Sequence, residues 1–373
     1  MGVRRLTGWL ILVLLLVWPV SVYGQEQDNL EIANEYIRIV VNNSQYNTGR
    51  FSVGTTGGDP DRLEDDHQHL IYGGDDPWTS YTTVRIGNEN WVFGNPTNRR
   101  AGRDGRYGEV ITPPMIDNGT IKSVWQLGPI EVTQILGFAR SSTTGLMDTA
   151  RIEYQLHNLD SVSHMVGLRI MVDTMLGTND GAPFRVNEQA LLSDTVFYSN
   201  AMPEFWQAFD SLSNPRVMSQ GTLRGRAVTT PDRVYFTNWG SLADDLWSFD
   251  FTPGRDYTRK GERGLDSAIA LFWDSAPLAP GETRSYVTQY GLGGVTIAPG
   301  DLILGVTSPA QVTADSDRTE TFSVIAYIQN AGTGEARDVV AQIELPPGLE
   351  LVSGSSVRRL GNIDVGETQQ TGW

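Results

Sequence analysis

The sequence predicts an all-β protein, a large antiparallel two-sheet sandwich followed by a smaller, truncated one. Three observations carry that expectation. Residues 150–184 hold the longest clean two-residue alternation in the chain, 40 Gly and 18 Pro are spread through its 373 residues, and no segment sustains a helical period for three turns. Many short strands with punctuated turns follow from such a composition.

In the stretch 150–184, Ile152, Tyr154 and Leu156 fall on one face of a first strand, and Val166, Leu168, Ile170, Val172 and Leu176 on one face of a second. These faces are the expected core. Arg151, Glu153 and Gln155, then Gly167, Arg169, Met171 and Asp173, take the opposite faces, which are expected to be solvated or to line a groove. Read as a hairpin, the two strands pair Glu153 with Arg169, because a slip of two residues sets Arg151 against Arg169. Further strands are expected at 36–42, 51–55, 69–72, 81–86, 91–93, 123–127, 130–139, 195–198, 233–238, 267–273 and 284–291. Gly87-Asn88-Glu89-Asn90 supplies a hairpin turn. A single helical turn is expected at 203–209, where Pro203 opens the segment and Glu204 sits in the first turn.

Charge and cysteine content narrow the function. The chain carries 28 Lys plus Arg against 44 Asp plus Glu, a net −16. Nucleic acid and anionic membrane surfaces both call for a basic footprint, so neither is an expected partner. Arg4 and Arg5, an apolar run from Trp9 to Val20 and small residues near Gly24 form a secretory signal pattern over 1–24, with an uncleaved anchor as the alternative. No later segment reads as a membrane span. With no cysteine, an exported protein of this size relies on its core rather than on disulfides. The expected location is secreted or at the cell surface of a bacterium.

The large sandwich is expected over 30–293, a Gly-rich linker over 294–301 and the smaller unit over 302–373. In that last unit a strand, an Asn-Ala-Gly turn, a second strand and the turn Leu345-Pro346-Pro347-Gly348 resemble an Ig-like sandwich, but only about 70 residues are available against the ~100 of such a module. Trp373 is therefore expected at or beside an unpaired edge, with the natural product continuing beyond it.

Five stretches, DPWTSYTTVRI (76–86), HMVGLRIMVDTMLGTNDGAPF (164–184), MPEFWQAFD (202–210), PDRVYFTNWG (231–240) and LAPGETRSYVTQYGLG (278–293), together resemble bacterial secreted proteins with a galactose-mutarotase-like supersandwich domain. In that group an Ig-like adhesion-related, conserved-repeat domain often follows, and VIAYIQNAGTGEARDVVAQIELPPGLELVSG (324–354) resembles its opening strands. The resemblance implies architecture and a concave sheet. Mutarotases proper use a His and a Glu in that sheet, and no motif here carries either position over.

Candidate site residues fall into two groups. Trp78, Trp206, Trp239 and Trp247 sit beside turn residues, carboxylates and amides, the surroundings of a ring that stacks on a pyranose, although loop tryptophans also seal the ends of sandwiches. Arg169 and Asp173 join them as possible groove residues. The second group is metal-directed: Asp59, Asp61, Asp65 and Asp66 offer hard oxygens for calcium, and His67 and His69 share one face if their segment is a strand. A solvated acidic loop explains the same acids. Asp173, Asn179 and Asp180 at the end of a strand are a further candidate ring for a small ion or sugar, within what is first of all a turn. No other cofactor is implied.

There is no Gly-x-Ser-x-Gly, His-Glu-x-x-His or Gly-x-x-x-x-Gly-Lys motif. The expected function is thus that of a non-catalytic surface or matrix binding protein, recognising carbohydrate or cell-envelope components, with the Ig-like unit as spacer. An enzyme acting on polysaccharide in the groove of the large sheet, and a structural envelope component without a small ligand, are the alternatives.

Overall fold

The computed structural model describes residues 29–373 except 61, 142, 188, 213–214, 260–261, 263, 294–295, 299–301, 313–320 and 332–335. The signal pattern at 1–24 lies outside them. In chain order the large unit is built from β1 (Leu30–Ala33), β2 (Ile37–Val41), β3 (Phe51–Thr55), β4 (Tyr81–Ile86), β5 (Glu89–Val92), β6 (Arg106–Tyr107), β7 (Glu109–Asp117), β8 (Thr120–Leu127), β9 (Ile130–Ala139), β10 (Thr149–Asn158), β11 (His164–Asp173), β12 (Phe184–Val186), β13 (Gln189–Leu191), β14 (Thr195–Tyr198), β15 (Phe205–Phe209), β16 (Met218–Thr222), β17 (Arg233–Asn238), α1 (Trp239–Asp244), β18 (Ser267–Leu278) and β19 (Thr283–Gly291).

Among the described residues these strands form a nine-stranded sheet, β13-β12-β15-β16-β19-β10-β9-β8-β7, facing a seven-stranded sheet, β14-β17-β18-β11-β4-β5-β6, with β1-β2-β3 as a third small sheet. The chain is all-β and, apart from the short parallel pair β5-β6, its sheets are antiparallel, as expected. One core fills the space between the large sheets: Val132, Leu136, Ile152, Tyr154 and Leu156 from one, Val84, Leu168, Ile170, Ile269 and Phe236 from the other. The small sheet adds Ile37, Ile39 and Val53 to the same cluster.

The expected hairpin is not there. β10 pairs with β9 and β19, and β11 pairs with β4 and β18, so Glu153 and Arg169 belong to different sheets. Glu153 lies opposite Val287 and Ile135, and Arg169 opposite Phe272 and Thr83. The five residues 159–163 arch from one sheet to the other instead of turning within one. Buried Asn158 holds the arch by donating to Leu278 O at 2.9 Å and Val162 O at 2.8 Å. The energies explain the choice. A cross-strand charge pair contributes about 0.2–1 kcal/mol, whereas each apolar side chain that the arch turns toward the facing sheet contributes about 1.5–3 kcal/mol.

The second correction concerns helix. The segment around 203–209 is strand β15, because Trp206 and Ala208 enter the main core while Phe205 and Phe209 point to the other side, a period of two. A helix forms instead at α1, where the Asn238 side chain accepts from Ser241 N at 3.1 Å as an N-cap. α1 and the segment after it lie on the outer face of the seven-stranded sheet, burying Tyr81, Met171, Ala270 and Phe272 against Trp239, Leu242 and Trp247. Consequently Arg169 and Asp173 are neither solvated nor in an open groove; both are buried. The Arg169 guanidinium donates to Leu242 O at 2.7 Å and to Asp245 O, thereby filling carbonyls that the end of a short helix leaves unpaired. It is ringed by Tyr81, Phe272 and Phe249 with centroids at 5.5, 5.7 and 5.8 Å.

The smaller unit consists of β20 (Thr296–Ala298), β21 (Leu302–Thr307), β22 (Ile325–Asn330), β23 (Ala336–Gln342), β24 (Val357–Ile363) and β25 (Thr368–Gly372), arranged as a sheet β20-β21-β22-β25 and a ladder β23-β24. Ala326, Ile328, Val339 and Ile363 form its own small core, with Trp373 packed against it. β25 is an edge of its sheet, and Trp373, directly after it, exchanges backbone hydrogen bonds with Val324. The unit docks on the outer face of β15 and β16, where Ile325 and Tyr327 meet Phe205, Phe209 and Met218. Arg185 is clamped there between Phe209 and Tyr327, with ring centroids 5.0 and 4.4 Å away.

Candidate functional site

The outer face of the nine-stranded sheet, unlike that of its partner, stays open beside the docked unit. Alternation places one polar row across it. Arg151 of β10 lies opposite Gln289 of β19, Gln289 opposite Thr222 of β16, and Thr222 opposite Phe205 of β15. Between this row and the smaller unit lies a cleft of about 520 Å³, lined by Arg140, Arg224, Arg226, Glu204, Thr222 and Gln289 on one side and by Gln311 and Phe322 on the other. Three guanidinium groups at one cleft stand out in a chain of net charge −16. Among the described residues Glu204 is the acidic residue of the lining, with Arg224 Nη2 3.8 Å from its Oε1. Burial raises its pKa, and Arg224 acts against that.

Next to the cleft, Glu153 is tied down. Burial pushes its carboxyl up, but hydrogen bonds from Gln155, at 2.9 Å, and from Arg151 outweigh burial and leave the pKa below its ordinary value. It is therefore a fixed anion rather than a proton donor.

A second constellation forms at the far end of β11. Carboxylate oxygens of Asp173, Asp180 and Asp266 all lie within 4.8 Å of one another. Burial, then repulsion from Asp266 and Asp180, pushes Asp173 well above the usual carboxylate range. Burial, then repulsion from Asp180 and Glu262, pushes Asp266 up to about 8, and burial also raises Asp180.

The expected ligand residues are distributed differently from expectation. Trp206 is inside the core between the sheets, stacked on Tyr290 at 5.3 Å, so it has no free face for a sugar. Trp239 and Trp247 are buried under the α1 layer, and the half-buried Trp78 packs edge-on against Trp239 at 5.8 Å. With Arg169 and Asp173 these three gather at the outer face of the seven-stranded sheet, but as a sealed layer and not a platform. The reason is their flanks: Gly167 and the α1 turn bring backbone so close that even a Cβ at Gly167 would meet the Trp247 ring at 2.9 Å.

The acidic segment fares likewise. Buried Asp65 accepts from Asp59 N at 3.2 Å, its carboxyl pushed up to about 6 by burial. Asp66 is half-buried, and His67 sits in a turn with φ of 54°, so it shares no strand face with His69. The acids that follow are engaged as well: Asp75 with Arg38 at 2.5 Å and Asp76 with Arg99 at 3.2 Å. Asp61 lies outside the described residues. Among the described residues the metal-type donors that converge are the three aspartates at 173, 180 and 266.

Reading the sequence missed Arg140, Glu204, Arg224, Arg226 and Gln289. The signal within reach was Arg224-Gly225-Arg226, a basic pair in an acidic chain, just after β16, which ends on Thr222. Asp266 gave no local signal at all.

No family model matches this sequence, and no curated protein matches it. Solved structures resemble it in fold. A galactose mutarotase-like protein from Lactobacillus casei ATCC 334 is 9% identical, covering 71% of this chain and 99% of that one with a TM-score of 0.41. A galactose mutarotase related enzyme from Lactobacillus acidophilus is 10% identical over 71% of this chain and 97% of that one, TM-score 0.34. A polysaccharide lyase is 12% identical over 79% of this chain and 44% of that one, TM-score 0.38.

Proposed function

We propose that the protein is an exported, non-catalytic binding protein that holds an anionic carbohydrate in the cleft between the large sheet and the smaller unit. The observation that carries this reading is the convergence of Arg140, Arg224 and Arg226 with Thr222 and Gln289 on one cleft. Guanidinium groups bind carboxylate or sulfate through paired, directional hydrogen bonds. Amide and hydroxyl groups suit sugar hydroxyls, and the half-buried Phe322 ring supplies an apolar wall. Glycoside hydrolysis takes two carboxyl groups flanking the scissile bond, and among the described residues the cleft lining offers one, Glu204, already facing a guanidinium. Export is supported by the basic, then apolar, then small-residue pattern of residues 1–24.

Calorimetric titration with uronate-containing and neutral oligosaccharides tests the reading. Expected is binding of the acidic series, weakened about tenfold or more by Arg224→Ala and weakened by salt, with no release of reducing ends. Equal affinity for the neutral series, an Arg224→Ala variant that binds as well as wild type, or sugar release abolished by Glu204→Gln would each defeat it.

A further inference from the structure

We infer that Asp173, Asp180 and Asp266 form a calcium-binding site that ties the end of β11 to the start of β18. The backbone there is fixed before any ion is considered. Ser267 N donates to Asp180 O at 2.9 Å and Ser267 Oγ to Ala182 O at 2.8 Å. Tyr72 N donates to Asp173 O at 3.0 Å, and Asp173 N to Ser80 Oγ at 2.9 Å. Gly181 lies so close to the segment leading into β18 that a Cβ would meet Leu265 Cβ at 2.4 Å. Three carboxylates from three separate chain segments are thus delivered to one point by rigid backbone.

One oxygen of each is left without a partner, although Thr79 hydrogen-bonds the Asp173 carboxyl. Asp173, Asp180 and Asp266 each have a buried Oδ1 with no hydrogen-bond donor, and Asp173 as a whole is 2% exposed. An orphaned buried carboxylate oxygen is costly, and three together are more so because they repel. The nearby guanidinium does not answer them: Arg100 is engaged by Asp244 at 2.6 and 2.9 Å and by Glu262 at 2.7 Å. The Asn179 amide is also spent, accepting from Gly181 N and donating to Asp210 O.

Ligand chemistry selects the ion. Three carboxylates with no nitrogen or sulfur donor, all within 4.8 Å of one another, make an all-oxygen protein cage of the kind calcium takes, whereas magnesium keeps several waters and is usually held by one or two carboxylates. Three carboxylates, with water completing the shell through the half-buried Asp180 and Asp266, give the affinity of an extracellular structural site, on the order of 10⁻⁴–10⁻³ M.

The test uses the full chain stripped with chelator, titrated with calcium chloride or magnesium chloride at pH 7.5 and followed by calorimetry and thermal melting. Expected is one calcium per chain in the stated range, a rise in Tm with calcium, and at least tenfold weaker magnesium binding. Asp180→Asn should bind calcium at least tenfold more weakly, and without calcium should melt no lower than ion-free wild type, since one carboxyl that repels its neighbours is gone. Asp66→Asn, in the separate acidic loop, should bind as wild type does. The site is overturned if wild type shows neither stoichiometric binding nor a Tm shift up to about 10 mM calcium, a level well above the range expected of such a site. It is also overturned if Asp180→Asn binds unchanged, or if Asp66→Asn abolishes binding.

Discussion

β10 and β11 follow one another with the same alternation of apolar and polar side chains, yet their polar faces meet opposite fates. On β10, Arg151 remains about one-third exposed and Glu153 is a hydrogen-bonded anion at the margin of an open cleft. On β11, Arg169 and Asp173 are sealed beneath α1 and the segment after it. Alternation therefore sorts a strand's side chains into two sets without saying which set meets water. That is decided by what lies on the outside. Over β11 a helical layer brings carbonyls that require a donor, and over β10 a second unit docks at one side and leaves the remainder free.

The sharpest way to break the comparison is to remove the arginine from each face. Arg169→Ala leaves Leu242 O and Asp245 O without that donor and opens a cavity among three aromatic rings. A loss of about 3–5 kcal/mol is expected in urea unfolding. A loss near 1 kcal/mol would mean that the layer above β11 is loosely held and that the contrast between the two faces is overdrawn.

Next in size is a pH effect at the head of β10. Burial pushes Asp148 up to about 6 against the hydrogen bonds from Thr144 and Thr149. A folded-state pKa above the unfolded one, ~3.9, favours the folded chain when protonated, so this contribution is intact below pH ~4 and is lost as pH rises through about 6. The change is at most about 3 kcal/mol. Asp65, also pushed up to about 6 by burial, acts with the same sign. Unfolding measured from pH 4 to 7 should show stability falling for wild type and a shallower fall for Asp148→Asn; an unchanged slope would remove Asp148 from the account.

The third test concerns Trp206. A Cβ on Gly221 would meet Trp206 Nε1 at 2.2 Å, so Gly221→Ala must displace an indole locked against Tyr290. Overpacking of this kind costs about 1–3 kcal/mol, readable as a lowered denaturation midpoint with unchanged slope. A neutral substitution would show that the indole has room to move, and would reopen its reading as a ligand platform.

What the sequence made legible was local. Strands at 51–55, 81–86, 130–139 and 195–198 are where the alternation put them, because side-chain sorting depends on residues two apart. β7 is absent from the expected strands, and its Pro113 and Pro114 cannot donate to a ladder. It is tolerated as the edge of its sheet, with a register shift between Thr112 and Met115 where the ladder meets the two prolines. Partner choice was not legible, since an arch and a hairpin share the same alternation and a five-residue connection permits both. The sites depended on partner choice. Asp266 joins Asp173 and Asp180 through the pairing of β11 with β18, and Arg140 reaches Arg224 only across the assembled sheet. The tryptophans misled for a related reason: polar neighbours in sequence do not say what packs on a ring, and Trp206 lies on β15 in the main core while Trp239 and Trp247 are buried in the α1 layer on the outer face of the seven-stranded sheet.

The smallest expected effect lies on the open face. Arg151→Ala removes the guanidinium from Glu153, but Gln155 still donates to that carboxylate at 2.9 Å, and an ion pair with one partner about one-third exposed is worth at most about 1 kcal/mol. Because Glu153 has a lowered folded-state pKa, its contribution is present above the unfolded value of ~4.3 and fades as pH falls through the folded one. Arg151→Ala should therefore match wild type within about 1 kcal/mol at pH 7 and converge on it further in acid. Urea unfolding at pH 7 and pH 3.5 measures both. A cost approaching that of Arg169→Ala would place the two faces in the same class, and the distinction between a sealed strand and an open one would have to be drawn elsewhere.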